Sequence, residues 1–265
     1  MKTVVISGSL DDLRSDDIRF LEEASKLGHL HLLLWTNETT CKYTGQDPKF
    51  PEEERLYMMQ SNRYVDQVTL VTTEQESLPN NIKADIWAVR EQDDTAQKLT
   101  FCKTHNITYR VLDTNGIPAQ TEISGEKSKN KKVIVTGCYD WFHSGHIRFF
   151  EEVSELGDLY VIVGHDKNVR LLKGEGHPMF NENERRYVVQ SVRFVTQALI
   201  ASGDGWMDAA PEIDVLNPDI YAVNEDGDKL EKRAFCEEHG LEYVVLKRTP
   251  KEGLPRREST ALRGF

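Results

Sequence analysis

The chain has 265 residues, a formal net charge of −11, 38% hydrophobic and 29% charged residues. That length suits one large domain or two ordinary ones, and the composition is that of a folded globular protein. The acidity argues against a general nucleic-acid binder, and no apolar run approaches the roughly 20 residues needed to span a bilayer. Met1 to Ser9 is a short strand-like run without the pattern of a secretory signal. The cysteines, Cys41, Cys102, Cys138 and Cys236, show no metal-ligand spacing. A reduced, cytoplasmic protein with no metal site of its own is expected. Polyphosphate would be repelled by such a surface on average, so a nucleotide site here requires a local basic cluster.

The elements recur in two rounds. Val4–Leu30 aligns without a gap on Val133–Leu159 at an offset of 129, with 13 of the 27 positions identical. The match continues with Phe50–Gln67 on Phe180–Gln197, Asp85-Ile86 on Asp219-Ile220, and Phe101, Cys102 and His105 on Phe235, Cys236 and His239. Shared amphipathic periodicity does not preserve so many polar identities, so the chain is an internal duplication. The polar stretch 125–131 reads as the linker, giving domains at 1–124 and 132–265. In the second copy, Val133–Thr136 reads as a strand, Ile147–Leu156 as an amphipathic helix and Leu159–Val163 as a second strand. Asn183–Val195 reads as a helix, Ile220–Val223 as a strand, Lys229–His239 as a helix and Tyr243–Leu246 as a strand. Apolar strands alternating with helices predict an α/β fold: two tandem Rossmann-like domains, each a mainly parallel sheet flanked by helices.

Ligands of such sheets bind beyond the C-terminal strand ends. Gly137-Cys-Tyr-Asp-Trp-Phe-His-Ser-Gly-His146 occupies that place between a strand and a helix. Gly137 permits a turn close to a ligand, Gly145 keeps the helix start free of bulk, and open N–H groups there favour an anion. His143 and His146 can face one phosphate, which suits phosphoryl or nucleotidyl transfer, where positioning and charge stabilisation do most of the work.

This segment resembles the G-x-F/Y-D-x-x-H-x-G-H loop of the cytidylyltransferase-like nucleotidyltransferases. In its Gly137-Cys-Tyr139-Asp140 form it is most similar to ethanolamine-phosphate and choline-phosphate cytidylyltransferases. Leu171–Pro178 resembles the family's H-K-G-x-P segment, with Lys173 at the triphosphate-binding position. Lys247-Arg248-Thr249 resembles its R-T-x-G, and Arg257-Glu-Ser259-Thr260 its S-T-T at the next helix start. These motifs nearly adjoin in the family but are separated here, so the choice among Arg248, Arg256 and Arg257 stays open. The resemblance implies His143, His146 and Lys173 as catalytic residues, and Gly137, Cys138, Tyr139, Gly145, Arg248, Thr249, Arg257, Ser259 and Thr260 as nucleotide-binding ones. Asp140, Asn224 and Asp226 are candidate substrate contacts. So is Trp206, which with Asp204 or Asp208 can hold an ammonium head group. The expected reaction joins a nucleotidyl group, with CTP as favoured donor, to a small phosphate monoester such as an amino-alcohol phosphate. Pyrophosphate leaves, and Mg2+ accompanies the nucleotide.

The first copy places Arg14, Asp16 and Asp17 where the second has His143, Gly145 and His146, and it lacks the Lys247-Arg-Thr stretch. Carboxylates at a helix start repel polyphosphate. The first copy is therefore expected not to catalyse this reaction and to serve as an internal pseudo-subunit, or else as a regulatory site. Other readings are an adenylyltransferase acting on a sugar phosphate, a synthetase-like protein, or a non-catalytic nucleotide-binding regulator. The second lacks a K-M-S-K-S segment, and the third conflicts with the retained histidines, Lys173 and the terminal Arg/Ser/Thr cluster.

Overall fold

Runs such as Leu30–Leu34 and Leu159–Val163, fully buried or nearly so, cannot face water on either side of a sheet. In the computed structural model they form the strands of two parallel sheets. Residues 1–72, 76–123 and 130–262 are described, except for the side chains of Thr260 and Ala261. The chain divides into two compact units, Met1–Gly116 and Ile117–Phe265.

Unit 1 runs β1 (Thr3–Gly8), α1 (Ser15–Ser25), β2 (His29–Trp35), α2 (Asn37–Thr44), α3 (Glu52–Gln60), β3 (Gln67–Val71), β4 (Ile86–Arg90), α4 (Ala96–Thr104) and β5 (Thr108–Leu112). Unit 2 runs β6 (Lys132–Gly137), α5 (Ser144–Ser154), β7 (Asp158–Val163), α6 (Asp166–Lys173), α7 (Glu182–Gln190), β8 (Val195–Ile200), α8 (Ala210–Leu216), β9 (Ile220–Asn224), α9 (Leu230–His239) and β10 (Glu242–Leu246). The sheet orders are β3-β2-β1-β4-β5 and β8-β7-β6-β9-β10, with every pairing parallel. Each order reverses between the unit's first and fourth strands, and that switch point opens a crevice at the strand ends.

The correspondence between the two units extends to buried polar detail. Arg185 donates to the carbonyls of Phe180, Cys138 and Gly164 at 2.6–2.8 Å and to Asp166. Arg55 donates to the equivalent carbonyls of Phe50, Ser9 and Trp35, and to Asn37. Each guanidinium thus ties together three carbonyls from separate segments, at the cost of burying a charge.

Two boundaries differ from the sequence reading. The helix expected to reach Val195 ends at Gln190, because Ser191 N–H is drawn onto the Tyr187 and Val188 carbonyls; Val195 already begins β8. Residues 117–123, expected in the first domain, run along unit 2. The Gln120 side chain accepts from Ile200 N–H on the edge strand β8, and Gln197 donates to Thr121 and Glu122. They cover an otherwise unpaired sheet edge. The expected linker falls mostly outside the described residues.

Candidate active site

Between β6 and α5 the chain turns through Tyr139, at φ +55°. Its ring lies so close to Gly137 that a Cβ there would meet it at 2.7 Å, which is why this position is glycine. Asp140 is buried at the cavity wall, with its carboxylate holding the neighbouring loop. Its oxygens accept from the N–H groups of Met179 and Phe180 at 2.8–3.1 Å, with His177 Nδ1 at 3.4 Å. Asp11 does the same in unit 1, accepting from Lys49 and Phe50 N–H. Asp140 therefore organises the loop.

The first turn of α5 is capped by imidazoles. His143 Nδ1 accepts from Gly145 N–H at 3.1 Å, and His146 Nδ1 accepts from His143 N–H at 3.3 Å. A nitrogen that accepts cannot carry the proton, so both neutral rings bear it on Nε2. The rings stack with centroids 4.0 Å apart, and His146 is flanked by Phe142 in a parallel stack and by Tyr139 edge-on. His143 is fully buried, with Nε2 3.4 Å from Ser259 Oγ. Gly145 is required here too, since a Cβ would stand 2.9 Å from the His143 ring.

Burial holds the His143 imidazole down at about 3, and Arg248 and Arg257 push the same way. Burial, then His143, Arg248 and Lys173, hold His146 well below the ordinary histidine range. Both rings are thus neutral N–H donors.

A cavity of about 220 Å³ opens at the β6/β9 switch point. Gly137, Cys138, Tyr139, Asp140, His146, Lys173, Asn224, Asp226 and Ser259 line it. Lys173 ends α6 on an exposed segment. Asn224 Oδ1 is buried without a hydrogen-bond partner, an acceptor waiting for a donor. A smaller recess at the start of α5 gathers Gly145, Arg248, Thr249, Arg256 and Arg257, the local basic cluster that an acidic chain needs. Arg248 also pairs with Asp226 and donates to the Arg257 carbonyl at 2.8 Å.

Trp206 stands apart. It is half-exposed on a short 3-10 turn, edge-on to Phe235, and is not among the residues lining the cavity. Asp208 is taken up by Asn168 Nδ2 at 2.7 Å. The Thr260 side chain lies outside the described residues. Among the lining residues that sequence reasoning missed, two are titratable, His177 and Lys232. The Lys232 ammonium lies 5.5 Å from the Tyr221 ring centroid, and burial lowers its pKa. Its signal was a lysine at the same register of both copies, Lys98 and Lys232. Among the described residues no group of three or more His, Cys, Asp or Glu is placed to hold a metal. No helix among them is long and apolar enough to cross a membrane.

The cytidylyltransferase-like family model matches residues 134–252. An FAD synthase of Ferroglobus placidus (strain DSM 10642 / AEDII12DO) is 35% identical over 125 residues, 46% of this chain and 78% of that protein. The bifunctional protein HldE of Campylobacter concisus (strain 13826) is 33% identical over 106 residues, 40% of this chain but only 22% of that protein. A lipopolysaccharide core biosynthesis protein from Thermoplasma volcanium GSS1, solved by crystallography, aligns at 25% identity over 46% of this chain and 98% of its own, with a TM-score of 0.39. The chain belongs to the cytidylyltransferase-like nucleotidyltransferases.

Proposed function

We propose that unit 2 transfers a nucleotidyl group from a nucleoside triphosphate, with CTP as favoured donor, to a small phosphate monoester. An acceptor phosphate oxygen attacks the α-phosphorus. The new P–O bond forms as the bond to the β-phosphate oxygen breaks, and pyrophosphate leaves with the electron pair. The observation that carries this reading is the stacked pair His143 and His146, each with Nδ1 held by a backbone N–H and the ring proton left on Nε2, His146 lining the cavity and His143 Nε2 lying 3.4 Å from Ser259 Oγ. Preorganised donors of this kind stabilise charge that develops on a phosphate without reorganising during the reaction.

The remaining roles follow from position. Lys173 and the Arg248/Arg257 recess hold the β- and γ-phosphates, with Thr249 in the recess and Gly145, Ser259 and Thr260 at the helix starts. Gly137, Cys138 and Tyr139 form the floor, and Asn224 Oδ1 accepts from the nucleoside. Lys232, which also lines the cavity, supplies a cation for the acceptor phosphate. Mg2+ would arrive on the phosphate oxygens, which supply the hard ligands it prefers, and would neutralise charge there. Unit 1, lacking these groups, is the inactive copy.

A second reading takes ATP as donor. FAD is FMN joined to an adenylyl group, and a relative covered over 78% of its length is named FAD synthase. The purified chain, mixed with CTP or ATP and a panel of phosphoethanolamine, phosphocholine, sugar phosphates and FMN, separates the two by pyrophosphate release. Release with CTP and an amino-alcohol phosphate supports the first reading, and release with ATP and FMN or a sugar phosphate the second. Nucleotide binding without release from any pair overturns both.

A further inference from the structure

Unit 1 keeps a cavity where unit 2 has its candidate site. It measures about 180 Å³ and is lined by Ser7, Gly8, Asp17, Trp35, Arg90 and Lys98, among others. The way to the helix start is closed, however. Asp17 and Arg90 replace His146 and Asn224, and they pair across the gap at 2.6 Å. A carboxylate at that helix start also opposes polyphosphate.

The inner part of the cavity has instead been opened. Leu10 replaces Tyr139, so no aromatic ring covers Gly8, and a Cβ on Gly8 would meet nothing within 4 Å. On the wall stands Lys98, only 3% exposed. Its ammonium donates to one partner, the Asp93 carbonyl at 2.7 Å, and makes no ion pair among the described residues. An ammonium has three donors, and a buried charge without a counter-ion is costly. Of the carboxylates that line the cavity, Asp11 is engaged by Lys49 and Phe50 N–H and Asp17 by Arg90 and Arg14 N–H, while Asp93 meets Lys98 through its backbone carbonyl and makes no ion pair with it. Water would satisfy the donors but not the charge.

We infer that the unit 1 cavity is a binding site for a small organic anion carrying a single phosphate or carboxylate group, seated on Lys98. The duplicated domain has lost the polyphosphate half of the site and kept a pocket for a compact monoester or carboxylate. This claim does not depend on which reaction unit 2 performs.

Trp35 lines this cavity and Trp141 lines that of unit 2, so indole N–H resonances of the 15N-labelled full chain report each site separately. Trp35→Phe assigns the first signal. The probes are CMP, glycerol 3-phosphate and lactate, which separate phosphate from carboxylate ligands, with CTP as the excluded triphosphate. Saturable movement of the Trp35 signal with at least one monoanionic-group probe is expected. Lys98→Met should weaken that response at least tenfold. Gly8→Leu, which fills the cavity without changing charge, should abolish it, while the Trp141 response to CTP or ATP persists in both variants. The inference is overturned by a Trp35 signal that no probe moves, by movement that survives both variants, or by CTP acting on Trp35 as strongly as the small anions.

Discussion

His143 N–H donates to Nδ1 of His146 at 3.3 Å, and in unit 1 Arg14 N–H donates to Asp17 Oδ2 at 2.8 Å in the same place. The backbone device is retained, but the side chain that closes it has changed from a neutral donor facing the cavity to a carboxylate. Removing either imidazole from unit 2 should therefore cost chemistry more than folding. His146→Ala is expected to lower kcat by about 10²–10³-fold, the usual cost of one preorganised donor. Urea unfolding should move little, since a helix cap is worth about 1 kcal/mol.

The rings should act as neutral donors, which has a signature in pH. In the fold His143 sits at about 3 and His146 also lies well below the ordinary value of 6.5. Between about pH 6.5 and 3 the unfolded chain binds protons that the folded chain refuses, so stability is fully present above 6.5 and falls as pH drops through that window. Denaturation midpoints across pH 4–8 should show this slope, and His143→Gln should flatten it. If deprotonation of these rings instead lowered kcat/KM as pH rose from 6 to 8, the neutral assignment would fail.

Gly145→Ala would bring a Cβ within 2.9 Å of the His143 ring. The ring must shift, and a displacement of this kind costs about 10²-fold in turnover. Steady-state kinetics should show the loss in kcat with the melting temperature nearly unchanged.

Arg185→Met and Arg55→Met should each destabilise the fold by about 3–5 kcal/mol, because each removes a buried guanidinium that ties three carbonyls together. Chemical denaturation measures it. A change below 1 kcal/mol for Arg185→Met would refute the staple.

Asn224→Ala offers the opposite sign. Its buried Oδ1 has no partner, so its loss should leave stability equal or raised while the nucleotide KM rises about tenfold, the value of one hydrogen bond of about 1.4 kcal/mol.

What could be read in advance was whatever leaves a local pattern. The strand runs, the amphipathic helix over Ile147–Leu156 and the offset of 129 are visible because apolar periodicity and identities survive in one dimension. The staples were not: Arg185 looks like a surface residue of a charged helix, and its partners Cys138 and Gly164 are distant in sequence. Val192 and Val195 continue the apolar spacing of α7, so only the carbonyl capping at Ser191 reveals the end of the helix. Residues 117–123 look like a polar tail, and only their bonds to β8 assign them to unit 2. Trp206 drew notice as an aromatic beside carboxylates, yet the fold seats it against Phe235 and outside the cavity lining.

The most direct test follows the α-phosphate itself. Full-length chain is incubated with α-32P-labelled CTP or ATP and the acceptor that supports pyrophosphate release, and the label is traced by chromatography. Wild type and Arg14→Ala should both move the label from the triphosphate to the acceptor, and the His143→Ala/His146→Ala double variant should leave it in place. Transfer that continues in the folded double variant, or stops equally in Arg14→Ala, would contradict an active site built on the two histidines of unit 2.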